Sequence, residues 1–409
     1  MTESGSIVIV GGGHAGAQLC AGLAEAGLGP RVHLVCEEAY LPYQRPPLSK
    51  AYLKNPDELL QEHRAGTWFA DQGITLHRAD AVASIDRTAK TVTLRSGAVL
   101  PYAHLVLATG TRARQLHGIP PGLANVAVVR SAADAERMRG LLAGTQQVTV
   151  LGGGFIGLEV AATSRVLGKT VTVLEAAPRL LSRSVSPELA DHVLHTHRAN
   201  GIDLRVGVSA GHFEVEGDRL VALMVDAVRE PVEVLVLGVG AVPETSLAEA
   251  AGLACGNGIL VDACMRTSDP AILAIGDCTS FLTHPHAQHA GGRLRLESVQ
   301  NANDQARTAT ATLQGREEPY HALPWFWSEQ GSMRLQMVGL MPTDGTRFRR
   351  LGASEQSFSI LHYVGAALRC VESVNAPVDH MMARKLLEAG RSPDPALACD
   401  SAKALKSFL

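Results

Sequence analysis

One pattern governs what this chain can fold into: an apolar strand, a glycine-rich turn and a helix, written twice. Residues 7–10 form a continuous apolar run followed by Gly11-Gly12-Gly13-His14-Ala15-Gly16. Residues 148–151 form another, followed by Gly152-Gly153-Gly154-Phe155-Ile156-Gly157. Unbroken apolar strands belong to buried parallel sheets. In each turn the first glycine permits the tight bend, the second lets backbone approach a pyrophosphate, and the third lets the helix pack against the strand. The helix N-terminus then offers amides and a positive dipole end to phosphate. We expect helices over residues 17–26 and 158–167, closed near Gly27 and Gly168.

Each copy also ends its second strand in an acid. Residues 31–36 lead to Glu37, 21 residues after Gly16, and residues 170–174 lead to Glu175, 18 residues after Gly157. A carboxylate there accepts hydrogen bonds from an adenosine ribose. It also repels a 2′-phosphate, so Glu175 favours NADH over NADPH, with Arg179 a cation that would soften the repulsion. Two dinucleotide cradles in one chain imply that one cofactor passes electrons to the other.

Composition sets the outer bounds. At about 150 residues per domain, 409 residues make two or three domains. A net charge of −3 argues against a bulk nucleic-acid binder. No apolar run approaches the ~20 residues of a membrane span, and residues 1–10 carry no basic segment, apolar stretch or cleavage site of a secretion signal, so a soluble, cytoplasmic protein is expected. The seven cysteines form no C-x-x-C pair, which gives neither a dithiol motif nor a cluster ligand set.

Further along, Ile272-Leu273-Ala274-Ile275-Gly276-Asp277 resembles the second flavin fingerprint of the two-dinucleotide flavoprotein reductases. Residues 105–111 (LVLATGT) and 235–243 (LVLGVGAVP) resemble the crossover strands that bound their inserted NADH domain. Pro42-Tyr43-Gln44-Arg45-Pro46-Pro47-Leu48-Ser49-Lys50 is the sharpest local signal. Together with Arg295-Leu296-Glu297-Ser298-Val299-Gln300-Asn301-Ala302 and Pro324-Trp325-Phe326-Trp327-Ser328, it resembles the NADH-dependent ferredoxin reductases of cytochrome P450 and ring-hydroxylating oxygenase systems. The chain departs from that pattern at Pro243-Glu244-Thr245, at residues 226–233, which lack the usual Asp-Gly turn, and at a loop holding His284, His286 and His289.

The resemblance implies an α/β fold: two doubly wound Rossmann-like domains, for FAD and NAD, and a C-terminal α+β interface domain. The FAD domain would take residues 1–112 and 244–319, the NADH domain 113–243 and the C-terminal domain 320–409. In the last we expect strands at 335–340, 347–351, 358–364 and 367–374 and a helix at 378–389. FAD would be held by Gly11, Gly13, His14, Ala15, Gly16, Glu37, Arg45, Pro46, Lys50, Val82, Ala108, Thr109, Gly110, Arg130, Gly276, Asp277, Glu297, Ser298, Val299 and Trp327. NADH would be held by Gly152, Gly154, Phe155, Ile156, Gly157, Glu159, Glu175, Gly238, Val239 and Gly240.

By the same resemblance Lys50 lies beside the isoalloxazine and pairs with Glu159 near N5, while Trp327 covers the flavin edge, with Trp325 competing for that role. Hydride transfer needs the nicotinamide within about 3–3.5 Å of the ring. The electrons would leave singly for a 2Fe-2S ferredoxin and from it reach a P450 or Rieske oxygenase. Arg64, Arg307, Arg347, Arg349 and Arg350 are the cations that would steer an acidic ferredoxin. The alternatives are a rubredoxin reductase and a flavoprotein similar to apoptosis-inducing factor, in which NADH switches assembly. Flavin disulfide and peroxide reductases need a redox cysteine that residues 39–50 lack. No metal site is expected: the 284–289 histidines read as an exposed loop, His192 and His195 as a solvated helix face, and Cys278 as packing.

Overall fold

The computed structural model describes residues 5–282 and 292–409. It divides the chain into two compact units, residues 1–44, 60–112 and 242–325 in one and 45–59, 113–241 and 326–409 in the other. The C-terminal residues cluster with 113–241, and the Lys50 segment, which sequence reading put in the FAD domain, clusters with them too.

In the first unit a five-stranded parallel sheet runs in the order Ile272–Ala274, His104–Leu107, Ile7–Val10, Val32–Cys36, Thr75–Arg78. Its strands are short and apolar because both faces are covered. Ile7, Val8, Ile9, Leu34, Leu105, Val106 and Leu107 are all buried. A three-stranded antiparallel meander, Val82–Asp86, Thr91–Leu94 and Val99–Pro101, intervenes before the crossover strand His104–Leu107.

The second unit repeats that plan. Its parallel sheet runs Asp203–Val206, Thr170–Glu175, Gln147–Leu151, Val234–Leu237, Val126–Ala127. A meander of Ala210–Glu216, Arg219–Val225 and Val228–Pro231 occupies the equivalent place. The same unit holds a five-stranded sheet that runs Trp325–Gln330, Met333–Gly339, Ala367–Val374, Phe358–Val364, Thr346–Leu351, packed by the helix Pro377–Glu388.

Both fingerprint helices begin earlier than expected, at His14 and Phe155, because Gly13 and Gly154 are themselves the N-caps. The helix Pro187–Ala199 corrects a second expectation. His195 is exposed, but His192 is half-buried edge-on against Phe358, 4.9 Å between ring centroids, and His197 is fully buried. Phe358 takes up His192, an imidazole that the sequence offered to water. The 284–289 histidines lie outside the described residues. Among the described residues no helix is long and apolar enough to cross a membrane.

The missing Asp-Gly turn has a structural consequence. The hairpin between Arg219–Val225 and Val228–Pro231 turns on Asp226 and Ala227, with φ of 46° and 69°. Positive φ at both central positions is the pattern of a type I′ turn, and a side chain at Ala227 makes that conformation costly. Ala227→Gly should raise stability by about 0.5–1 kcal/mol, the relief exceeding the added chain entropy. Equilibrium urea unfolding reads this directly; a less stable variant contradicts it.

Candidate functional site

Parallel strands bring their carboxyl ends to one sheet edge, where open α/β folds bind ligands. In the first unit that edge carries Gly276-Asp277, Ala108-Thr109-Gly110, the glycine turn and Glu37, each following its own strand. A Cβ on Gly16 would lie 2.0 Å from the Gly11 carbonyl oxygen, so only glycine lets the helix His14–Glu25 start this close to the turn. Among the described residues nothing lies within 4 Å of a Cβ built on Gly13, which leaves that side of the turn clear of them. Among the described residues no side chain caps this helix at Gly13, and its N-terminal turn presents backbone amides and the positive dipole end.

The Gly276-Asp277 turn folds back to the first glycine turn. A Cβ on Gly276 would stand 3.1 Å from the Ala15 Cβ, and the Gly276 amide donates to Gln305 Oε1 at 2.7 Å. Asp277 is half-buried beside it. Thr109 Oγ1 donates to the Glu244 carbonyl at 2.6 Å. Ser298 caps the helix Val299–Leu313, accepting from the Asn301 amide at 3.0 Å, and Glu297 pairs with Arg295 at 2.6 Å. Glu37 is exposed, 3.3 Å from Arg95, and Val82 is buried at the start of the meander. Cys278 is fully buried, and burial pushes its thiol up. Cys36 is pushed up to about 12, first by burial and then by the Glu38 charge. All seven cysteines are free thiols.

The second unit carries the same edge. A Cβ on Gly157 would lie 2.3 Å from the Gly152 oxygen, and the Gly238 amide donates to the Leu151 carbonyl at 2.7 Å, setting Gly238, Val239 and Gly240 beside the turn. The helix Phe155–Val166 also lacks a side-chain cap. Glu175 braces the turn: its Oε2 accepts from the Gly153 amide at 2.6 Å and its Oε1 from the Ala177 amide at 2.7 Å. Lone pairs remain for ribose hydroxyls. Arg179 spends its guanidinium on the carbonyls of Val185 and Ser182, both at 2.8 Å, so the softening cation is already engaged.

Around Glu159 the second unit gathers its polar groups. The helix Phe155–Val166 is buried along most of its length, and Glu159 is only 3% exposed. Its Oε2 accepts from Lys50 Nζ at 2.6 Å and from Ser49 Oγ at 2.5 Å; its Oε1 accepts from Ser328 Oγ at 2.7 Å. One turn on, Thr163 Oγ1 donates to the Ser49 carbonyl at 2.8 Å. The proline pair starts the short helix Pro46–Ser49, and the Pro46 carbonyl accepts a second bond from Lys50 Nζ at 3.2 Å. Arg139 lies 3.7 Å over the Tyr52 ring and donates to the carbonyls of Tyr52, Asn55 and Glu58, which fastens the 45–59 segment. Arg45 donates to the Arg130 carbonyl at 2.7 Å, so these two expected residues are neighbours. Phe155 meets Phe326 edge-on at 4.9 Å, and Trp327 is half-buried on the strand Trp325–Gln330. Ile156 remains 47% exposed at the helix start. The expected pairing of Lys50 with Glu159 is present, and Ser49 and Ser328, to which the sequence reading gave no role, add their hydroxyls to the same carboxylate.

Residues 5–306 match the pyridine nucleotide-disulphide oxidoreductase family, and residues 325–409 match the reductase C-terminal family. The chain is 40% identical to rhodocoxin reductase of Rhodococcus erythropolis over 97% of this chain and 92% of that protein. It superposes with a TM-score of 0.92 and 42% identity on the ferredoxin reductase for the CYP199A2 system from Rhodopseudomonas palustris, covering 98% and 99% of the two chains. It superposes with a TM-score of 0.93 and 35% identity on the reductase of a covalent putidaredoxin reductase–putidaredoxin complex, covering 99% and 98%.

The chain belongs to the ferredoxin reductases of the pyridine nucleotide-disulphide oxidoreductase family.

In this ferredoxin reductase one expected partner residue is misassigned. Arg350 is 5% exposed; it pairs with Asp379 at 3.0 Å and donates to the carbonyls of Ala398, Asp400 and Lys403. It clamps the C-terminal tail and has no surface to offer. Arg347 and Arg349 do reach the surface, on Glu188 and over the Phe358 ring. Arg64 is exposed near Trp68, and Arg307 is exposed and paired with Asp304. Arg350→Ala should lose about 3 kcal/mol or more, because it strands a largely buried carboxylate and three carbonyls. Denaturant unfolding checks this; a loss below about 1 kcal/mol contradicts the clamp.

Proposed function

We propose that the chain is an NADH-dependent reductase for a 2Fe-2S ferredoxin that supplies a P450 or Rieske-type oxygenase, acting in the cytosol. The carrying observation is near-full-length likeness to a reductase captured in covalent complex with putidaredoxin. Bound FAD would accept hydride from NADH and release the two electrons singly.

The residues take their roles from their chemistry. Gly11, Gly13 and Gly16, with the uncapped amides of the first fingerprint helix, suit the FAD pyrophosphate, and Asp277 and Glu37 supply acceptors for its polyol and ribose. The second turn and Glu175 suit NADH, and Arg179, already engaged by two carbonyls, does not offset the carboxylate that a 2′-phosphate would face. Lys50 carries a positive charge that stabilises negative charge on a reduced ring, while Glu159 fixes that ammonium in place. Arg64, Arg307, Arg347 and Arg349 are exposed and basic, the chemistry that draws an acidic carrier.

The test is single-turnover reduction of a purified P450-type 2Fe-2S ferredoxin by holoprotein pre-reduced with NADH. We expect reduction that slows steeply as ionic strength rises, and a preference for NADH over NADPH of at least about tenfold. Rapid flavin reduction with no transfer to any 2Fe-2S protein would sink the ferredoxin reading and favour an NADH-responsive switch. Preferential reduction of a rubredoxin would favour the rubredoxin reductase.

A further inference from the structure

Behind Glu159 a line of buried polar side chains runs on from Ser328, and the members beyond Ser328 have no role in the foregoing account. The strand Trp325–Gln330 alternates, so Phe326, Ser328 and Gln330 share a face while Trp327 and Glu329 take the other. Ser328 and Gln330 are each 1% exposed, and so is His197 on the helix Pro187–Ala199. Gln330 Nε2 stands 3.1 Å from Ser328 Oγ, and Gln330 Oε1 stands 2.8 Å from His197 Nε2.

The direction of this chain is fixed by what each atom can do. A carboxylate only accepts, so Ser328 must give its proton to Glu159 Oε1. Its remaining lone pairs take the Gln330 amide, which turns Gln330 Oε1 towards His197. An amide oxygen only accepts, so His197 carries its proton on Nε2. The opposite ring nitrogen, Nδ1, is buried with no hydrogen-bond partner among the described residues. Burial also lowers the imidazole's basicity, which suits a neutral ring with one donor. An apolar side chain would fill the same space with no orphaned nitrogen, so the imidazole is not there for packing.

We propose that His197, Gln330 and Ser328 form a one-way hydrogen-bond relay that fixes the Glu159 carboxylate against Lys50, making all three positioning residues for hydride transfer. The proposal rests on the role given above to Lys50 and Glu159. Ser49 and Lys50 hold one carboxylate oxygen from the 45–59 segment; the relay holds the other from the C-terminal strand. With both oxygens held, the carboxylate has one rotamer and the ammonium one location. The relay also ties the charge near the reactive cofactor to a strand of the C-terminal sheet.

The experiment is a double-mutant cycle on the holoprotein: Ser328→Ala and Gln330→Met, each alone and combined with Glu159→Gln. Two quantities are read, the rate of flavin bleaching at saturating NADH and the flavin midpoint potential from a chemical reductant titration without NADH. We expect S328A to slow bleaching at least about tenfold, with under about threefold change in NADH affinity, and Q330M to slow it by a smaller factor of about three. The S328A potential should move to more negative values as Glu159 loses a donor. Both effects should shrink to under about twofold, or to no shift, in the E159Q background, and S328T should recover most of the loss. An S328A or Q330M effect that persists undiminished in E159Q would mean a merely structural strand contact and overturn the relay. So would unchanged rate and potential in both variants. A wild-type holoprotein that NADH does not bleach would instead count against the reductase reading, and the potentials would then decide the relay by themselves.

Discussion

A carboxylate removed from water must be met by donors, and Glu159 imposes that condition on four stretches of chain. The short Pro46–Ser49 helix and Lys50 supply a hydroxyl and an ammonium. The helix after the second glycine turn supplies the carboxylate itself. The strand Trp325–Gln330 supplies Ser328, and behind it the helix Pro187–Ala199 supplies His197. An unpaired buried carboxylate costs several kcal/mol, enough to consume much of a domain's stability. The condition joins residues 45–59 and 326–409, so distant in sequence, at one carboxylate inside the same compact unit.

The two nucleotide edges rest on a simpler constraint, the steric freedom of a missing Cβ. Where a helix must begin against the turn it leaves, a side chain at Gly16 or Gly157 would overlap a carbonyl oxygen. The chain states that requirement in consecutive letters, which is why both fingerprints, their strands and their terminal acids are legible in the sequence alone. The C-terminal strands are legible for the same reason: alternation and turn residues are local, and 335–340 and 347–351 fall within two residues of Met333–Gly339 and Thr346–Leu351.

What stays hidden is contact between distant polar residues. Ser49 and Ser328 sit inside motifs that draw attention, yet nothing local says that each hydroxyl meets the same carboxylate. Arg350 reads in the sequence as one of three surface cations. Alternation on its strand does carry a signal, since Phe348 and Arg350 share a face, but the carbonyls that satisfy it come from a tail without a readable motif. The Asp226-Ala227 turn is the converse case: strand pairing on both sides overrides the poor local preference of Ala227 for positive φ.

The central claim is that one chain carries a flavin and a pyridine nucleotide and moves electrons from the second to the first. Anaerobic titration of the purified, yellow holoprotein with NADH, followed by flavin absorbance, tests it most directly. The account predicts complete bleaching at about one NADH per flavin, since hydride transfer delivers both electrons at once. Protein that stays colourless after incubation with FAD, or flavin that keeps its oxidised spectrum in excess NADH, would contradict it.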